Sequence, residues 1–192
     1  MDVVKLLKQD HRTVKGLFGQ YKSASSNKQK KDLANKITKE LSIHAGIEEQ
    51  FLYPTVRERN EKFDDQVLEA LEEHHVAKAT LKELESMYPS DERFDAKMTV
   101  LMENIRHHIK EEEEELFPKL PKIMSKEELQ AIGEVMEQAK KAAPTHPHPM
   151  APDSPPGNHI SDLLAKVLDS GKDIAHNVSA EIQKRVRRGI GR

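Results

Sequence analysis

The sequence repeats one pattern in two places, and this repeat constrains the fold more than any other feature. Each copy has a histidine ten residues before a proline and a glutamate six residues before it. The six positions are His44, Glu48 and Pro54 in the first copy, and His108, Glu112 and Pro118 in the second. Two further histidines, His11 and His74, precede the copies, so the four histidines are 33, 30 and 34 residues apart. Each interval fits one long helix plus a turn, which predicts four histidines at similar depth on neighbouring antiparallel helices.

Apolar residues recur at the three- and four-residue spacing of a helix through most of the first 141 residues. We predict four long helices and a shorter fifth one, over residues 3–21, 29–53, 63–87, 94–117 and 126–141. No segment alternates in the manner of a strand. Because short connections join antiparallel neighbours, the predicted fold is all-α: an up-down-up-down four-helix bundle with a short fifth helix.

Composition excludes several classes of protein. The chain has no cysteine, so there is no disulfide framework, thiolate metal site or cysteine nucleophile. It has no apolar run long enough for a transmembrane helix, and its first residues do not resemble a signal peptide. The formal net charge of −2 gives no reason to expect a nucleic-acid partner. We therefore expect a cytoplasmic protein, with the oligomeric state left open.

The four repeated histidines are predicted to point into the bundle. Apolar residues three, four, seven or eight positions away share a helix face with each of them, as Leu41 and Ile47 do with His44. Glu48 and Glu112 lie four residues after a histidine and are therefore also inward. A lone inward histidine is usually a hydrogen-bonded core residue, but four matched imidazoles and two carboxylates in one core need compensation. Two metal ions would satisfy all six, and nitrogen and oxygen donors without sulfur suit iron, manganese or zinc.

This arrangement resembles the hemerythrin-like family, whose HHE cation-binding domain is a four-helix bundle with a non-haem di-iron centre. The resemblance covers residues 1–142 and assigns as metal ligands His11, His44, Glu48, His74, His108 and Glu112. It implies two iron ions with an oxo or hydroxo bridge, ahead of manganese or zinc. It also implies a protein that binds or reacts with O₂, nitric oxide or peroxide. The alternative is a non-catalytic iron-binding module that signals metal or oxygen state to a partner or membrane.

Two positions depart from the oxygen-carrying members of that family. Those members have a second histidine on the third helix, where this chain has Lys78, and an aspartate where it has Glu113. We assign the bridging role to Glu112, because it matches Glu48 in the repeat. The site then keeps at least one open coordination position, which favours peroxide, NO or redox chemistry over oxygen carriage.

Residues next to the proposed ligands are predicted to occupy supporting or surface positions. His75 and His107 adjoin ligands but point elsewhere on their helices, which predicts surface or supporting positions. Lys78 is either a charge beside the site or a surface residue. Glu40 and Asn104, each four residues before a ligand histidine, are candidates to orient imidazoles. In the acidic run 111–115, Glu112 and Glu115 are predicted to face inward. Tyr53 and Phe117 are predicted to close the bundle end, and a tyrosine ligand or radical site is the alternative for Tyr53.

The remainder of the chain has a different composition. Residues 143–157 form a linker rich in proline and histidine, with six prolines between positions 144 and 156. Residues 158–192 are predicted to form a basic amphipathic helical tail. Such a tail suits a peripheral membrane surface or an acidic protein partner. The alternatives are that it docks on the bundle, associates with a second copy, or is an added helix or mobile tail without a separate partner.

Overall fold

The computed structural model describes residues 1–150, and within that range its regular secondary structure is all helical, with no strand. Six α-helices follow in chain order: α1 (Val3–Lys22), α2 (Asn27–Ile47), α3 (Tyr53–Arg59), α4 (Asp64–Ser86), α5 (Phe94–Glu111) and α6 (Lys126–Ala139). Short π-helical and 3₁₀ segments join some of them. Four long helices and the shorter α6 confirm the predicted helical bundle.

Local sequence signals account for where the helices begin. Asp2 and Ser26 cap α1 and α2, because each side chain accepts a hydrogen bond from a backbone N–H three residues later. Ser125 and Glu128 form a complete capping box at the start of α6, as the sequence pattern indicates. These caps satisfy backbone donors that have no partner inside the helix.

Two apolar cores lie on either side of a polar layer. The lower core contains residues such as Val3 and Leu7 of α1 and Val67 of α4. The upper core contains Val14 of α1 and Leu81 of α4. α1 and α4 therefore run from the lower core to the upper one, whereas α2 and α5 run the opposite way. α1, α2 and α4 cross from one core to the other at their repeated histidines. The path of α5 crosses just after His108, between Ile109 and Leu116, so all four histidines lie near one level of an up-down-up-down bundle.

The repeat produces a π-helical segment in both halves. Glu48–Leu52 follows α2 and Glu112–Leu116 follows α5, so each proposed glutamate ligand opens a π segment. The prediction that the second helix ends at Tyr53 is wrong, because the helical path continues through Pro54 as α3. Proline is tolerated there because it sits in the first turn of the new helix, where its missing N–H breaks no regular α-helical bond.

The helix α6, which corresponds to the predicted fifth helix, closes the lower core against the start of α1. Leu129, Ile132 and Met136 of α6 share this core with Val3. Gly133 lies at the contact: a Cβ there would stand 2.7 Å from Asp2 C and Val3 N and would also meet Met1 O. The backbone of the first three residues therefore occupies the space that a side chain would fill.

Replacing Gly133 by alanine is expected to lower the free energy of unfolding by about 1–3 kcal/mol, because the backbone of α1 must move away. Urea unfolding followed by circular dichroism measures the effect. Gly16→Ala is the matched control: it is also a helical glycine, but its Cβ meets nothing within 4 Å. It should stabilise the protein by up to about 1 kcal/mol. Equal effects of the two substitutions would contradict this packing.

The segment after α6 is described only in part. Residues 143–150 form no helix or strand, and Pro147 is buried. The linker over 143–157 stays a prediction, because its second half lies outside the described residues. The predicted tail over 158–192 lies outside the described residues. Within residues 1–150, none of the helices combines the length and apolar character needed to span a membrane.

Candidate metal centre

The six residues that the sequence singles out meet between the two cores. All are buried, and Glu48 is fully inaccessible to solvent. They form two groups of donor atoms that could each hold a metal ion. One group contains His11, His44, Glu48 and Glu112, and the other contains Glu48, His74 and His108.

The imidazoles face each other in pairs through their Nε2 atoms. His11 Nε2 lies 3.2 Å from His44 Nε2, and His74 Nε2 lies 3.1 Å from His108 Nε2. The first pair joins α1 to α2, and the second pair joins α4 to α5. The structure thus brings the four histidines together at similar depth, as the spacing predicts, and arranges them as two similar pairs, which we call half-sites.

The two glutamates connect the half-sites. Glu48 Oε2 lies 3.1 Å from His44 Nε2 and 3.5 Å from His74 Nε2. Glu112 Oε2 lies 3.2 Å from His11 Nε2 and 3.5 Å from His108 Nε2. Each carboxylate oxygen therefore approaches one imidazole from each pair.

Carboxylates on the far side of the rings orient three of the imidazoles. His11 Nδ1 donates to Glu113 Oε1 at 2.9 Å and His74 Nδ1 donates to Glu49 Oε1 at 3.0 Å. The third contact is shorter, 2.7 Å from His108 Nδ1 to Glu73 Oε2. The fourth ring has its carboxylate further away, with His44 Nδ1 3.7 Å from Asp10 Oδ2. This is the outer arrangement that metal-binding histidines adopt.

These hydrogen bonds fix the chemistry of the facing nitrogen atoms. A neutral imidazole carries one N–H, and where Nδ1 donates to a carboxylate, Nε2 presents a lone pair. In the pair of His74 and His108 both Nδ1 atoms donate, so the lone pairs on the two facing Nε2 atoms repel one another unless a cation lies between them. Both oxygens of Glu48 and Oε2 of Glu112 are buried without a hydrogen-bond partner. The donor set therefore fits metal ions, which would compensate both the nitrogen lone pairs and the carboxylates.

The pKa values reflect the same imbalance. Burial raises the pKa of Glu48 well above its usual range, and the neighbouring Glu112 carboxylate raises it further. Burial lowers the pKa of His44 to about 4 and lowers that of His74. For His108, burial acts in the same direction, but Glu112 and Glu73 outweigh it and raise the pKa. A metal ion must displace protons from such a site, so its binding is linked to pH.

Four carboxylates lie on the far side of the imidazoles, and we call them the outer carboxylates. Lysines form ion pairs with three of them. Lys78 Nζ lies 3.0 Å from Glu49 Oε1, Lys15 Nζ lies 3.3 Å from Glu113 Oε1, and Lys140 pairs with Asp10. Lys78 is buried, which decides between its two sequence interpretations in favour of a charge beside the site. Each of these carboxylates thus lies between an imidazole and an ammonium group.

Tyr53 and Phe117 contact the site directly. The Tyr53 hydroxyl donates to Glu112 Oε1 at 2.9 Å, and the Phe117 ring stacks on His11 with centroids 5.8 Å apart. Both side chains thus contact a proposed ligand, which the prediction of a place at the bundle end did not include. Tyr53 also satisfies one oxygen of Glu112, whereas Glu48 has no such donor.

Other neighbouring residues are placed differently from the prediction. Asn104 and Glu115 are exposed, and neither Glu40 nor Asn104 contacts an imidazole, so the predicted orienting and inward roles are wrong. His75 and His107 lie on the surface, as expected. The sequence interpretation missed the orienting residues Glu49, Glu73 and Glu113, and also Asp10, which occupies the matching position beside His44 at 3.7 Å. Their signal was present in the repeat, because each directly precedes or follows a proposed ligand at matched positions.

A small cavity adjoins the imidazoles on the side of the upper core. Its volume is ≈ 20 Å³, and its lining consists of the four histidines, Lys78 and apolar side chains such as Val14, Leu41 and Ile105. A cavity needs about 10–15 Å³ to hold one water molecule. One water-sized molecule therefore fits directly against the four rings.

Fold and site together define a metal-binding helical bundle. The sequence matches the family described as hemerythrin HHE cation binding domain over residues 2–120. The chain belongs to this family, and the resemblance identified from its motifs is confirmed.

Similar proteins support the family assignment. The chain is 31% identical over 166 residues to an uncharacterized hemerythrin-like protein of Schizosaccharomyces pombe, covering 86% of this chain and 82% of that protein. A protein of Nostoc described as a DNA nickase is 26% identical over 140 residues, which span 73% of this chain but only 39% of the nickase. A crystal structure of a hemerythrin HHE cation binding domain-containing protein from Mycobacterium kansasii has the same fold. Its TM-score is 0.64 at 20% identity, covering 93% of this chain and 99% of that one.

Proposed function

We propose that the chain is a non-haem di-iron protein that binds or reacts with O₂, nitric oxide or peroxide. His11 and His44 would hold one iron, His74 and His108 would hold the other, and Glu48 and Glu112 would serve both. Iron bound there supplies reversible exchange between ferrous and ferric states. The observation that carries the proposal is the pairing of four Nε2 atoms around two buried carboxylates with unpartnered oxygens.

The number of donors supports iron with room for a further ligand. Each half-site offers two imidazoles and a share of two carboxylates, without sulfur, which suits iron over softer metals. The position at which oxygen carriers of the family have another histidine is Lys78, whose Nζ is engaged by Glu49 Oε2 at 3.1 Å. Lys78 would therefore leave room for a further ligand of the metal ion beside the cavity.

The surroundings favour a small oxidant as the ligand. The cavity admits one water-sized molecule, and its apolar walls exclude bulk solvent from the rings. Glu49, Glu73 and Glu113 hold three imidazoles in fixed orientation through their Nδ1 atoms. The Tyr53 hydroxyl holds Glu112 in place and offers a proton beside the site.

Mixing the reduced, iron-loaded protein separately with O₂, NO and H₂O₂ tests the proposal. At least one of them should change the optical spectrum, and the change should disappear in His44→Ala but persist in His75→Ala, which alters an exposed histidine. Rapid disproportionation of peroxide, abolished in Glu112→Ala, would identify an enzyme. An iron-loaded protein whose spectrum responds to none of the three would refute the proposal.

Two other functions receive less support. A sensing module would need the tail over 158–192, which lies outside the described residues, so that hypothesis stays a prediction. The activity of the Nostoc relative is not transferred to this chain, because the match spans 39% of that protein. The expectation of no nucleic-acid partner is likewise unchanged.

Glu113→Ala is expected to weaken iron binding about 10–100-fold, the range measured for outer hydrogen-bond partners of metal ligands. The reason is that His11 loses the acceptor at its Nδ1 atom. Competition with a chelator of known affinity measures the change. Glu114→Ala is the control, because Glu114 is adjacent but exposed, and it should bind iron as the wild type does. A Glu113→Ala protein with unchanged iron affinity would show that Glu113 does not support the metal site.

A further inference from the structure

A second cluster of donor atoms lies on the surface, across α4 and α5. It consists of Glu73, His107 and Glu111, whose donor atoms all lie within 4.8 Å of one another. His107 Nε2 is 3.1 Å from Glu111 Oε1 and 3.9 Å from Glu73 Oε1. His107 and Glu111 are four residues apart on α5 and share a face, and Glu73 reaches them from the neighbouring helix. We call these three residues the outer cluster.

Each of the four imidazoles of the internal site faces one carboxylate, and we call each such pair a corner of the site. At three corners a lysine pairs with the carboxylate, and the outer cluster lies at the fourth. Asp10, Glu49 and Glu113 each pair with an ammonium group behind the imidazole they face. Glu73 is the equivalent residue behind His108, yet within residues 1–150 no lysine or arginine forms an ion pair with it. Its neighbours there are His107 and His108.

The charge at this corner is therefore unbalanced. Two carboxylates converge on one imidazole, which offers a lone pair when neutral. A divalent cation would supply the positive charge that lysine supplies at the other corners. The side chain of His107 is 63% exposed, so an ion can arrive directly from solvent.

We propose that the outer cluster binds one divalent transition-metal ion of the zinc type. Glu73 Oε1, His107 Nε2 and Glu111 Oε1 would be its protein donors, and water would complete the coordination, because three protein ligands of this kind suit zinc. The other oxygen of Glu73 accepts from His108 Nδ1 at 2.7 Å. One carboxylate therefore separates the outer ion from an imidazole of the internal centre. The proposal stands on these three residues whether or not the internal centre holds iron.

Equilibrium dialysis of the iron-loaded protein against Zn²⁺ tests the outer cluster, with zinc and iron counted separately per chain by mass spectrometry. His107→Ala and Glu111→Gln should each take up one zinc fewer than the wild type, with an unchanged iron count. His75→Ala is the matched control, since it removes an exposed histidine from α4, and should equal the wild type. Circular dichroism confirms that each variant is folded.

Replacing His107 by lysine separates the charge argument from simple loss of a donor. His107→Lys should also lose one zinc, but its metal-free form should be at least as stable as the wild type, because an ammonium then balances Glu73 and Glu111. A destabilised His107→Lys protein would overturn the charge argument. Zinc uptake equal to wild type in His107→Ala, or zinc gained only as iron is lost, would overturn the site.

Discussion

Replacing Glu48 by glutamine is expected to abolish binding of both metal ions while leaving the bundle folded. Glu48 is the carboxylate common to both groups of donor atoms, and its Oε2 approaches an imidazole from each pair. Glutamine has nearly the same shape but carries no charge to offset two cations. Iron per chain, measured after loading, should therefore fall from two to near zero in Glu48→Gln.

The same substitution should stabilise the metal-free protein. Without metal, both oxygens of Glu48 are fully buried and have no partner, and an unsatisfied buried group costs about 1–3 kcal/mol. Because the folded state raises the pKa of Glu48, it binds a proton more tightly than the unfolded chain does. This carboxyl therefore makes the wild type lose stability as the pH rises above the ordinary value of 4.5. The advantage of Glu48→Gln in urea unfolding should widen over that range.

Glu40→Gln is the control for Glu48→Gln, since Glu40 lies on α2 away from the imidazoles. It should bind two irons and leave the stability of the metal-free protein unchanged within about 0.5 kcal/mol. A Glu48→Gln protein that still binds two irons would show that the carboxylate does not join the half-sites. A metal-free variant less stable than the wild type would contradict the burial argument.

Replacing Lys78 by methionine should lower the free energy of unfolding by about 3–5 kcal/mol, the usual cost of removing one partner from a buried ion pair. Methionine keeps most of the length of the side chain but leaves Glu49 without its ammonium group. The Lys78 and Glu49 side chains are 8% and 9% exposed, so water replaces little of the lost interaction. Urea unfolding of the metal-free proteins measures the difference.

The pseudo-symmetry of the chain provides the control for Lys78→Met. Lys15 occupies the equivalent position in the other half and pairs with Glu113, but its side chain is 45% exposed. Lys15→Met should cost no more than about 1 kcal/mol, because an exposed ion pair contributes little. Similar losses in the two variants would mean that burial does not set the strength of these pairs.

The sequence was sufficient to predict the bundle and the convergence of six side chains. The reason is the repeat: helical periodicity gives the inward face, and near-equal spacing gives the level along the bundle. His11, His44, His74 and His108 all lie at the boundary between the two cores, where the apolar stripes of their helices place them.

The carboxylates that orient the imidazoles could not be obtained from the periodicity of one helix. Glu49 and Glu113 follow a proposed ligand by one position, and they contact histidines on neighbouring helices. Such contacts depend on which helices are adjacent and on how each helix is rotated about its own axis. Glu40 and Asn104 were chosen because they share a face with a histidine, but an outer partner must lie beside the ring on another helix.

The π-helical segments were also beyond simple periodicity. An extra residue in a turn rotates everything after it by about 100°, the angle of one residue in an α-helix. A pattern based on 3.6 residues per turn therefore loses its register after Glu48 and Glu112. The matched prolines, Pro54 and Pro118, mark the place in both halves but predict an end to the helix instead of a change in its winding.

Iron content per chain, determined together with the optical spectrum of the aerobically purified protein from iron-rich growth, tests the central claim most directly. We expect about two irons per chain and ferric absorption in the near-ultraviolet, both lost in His44→Ala. A folded protein that binds no iron, or one that keeps two irons after His44→Ala, would contradict the di-iron proposal.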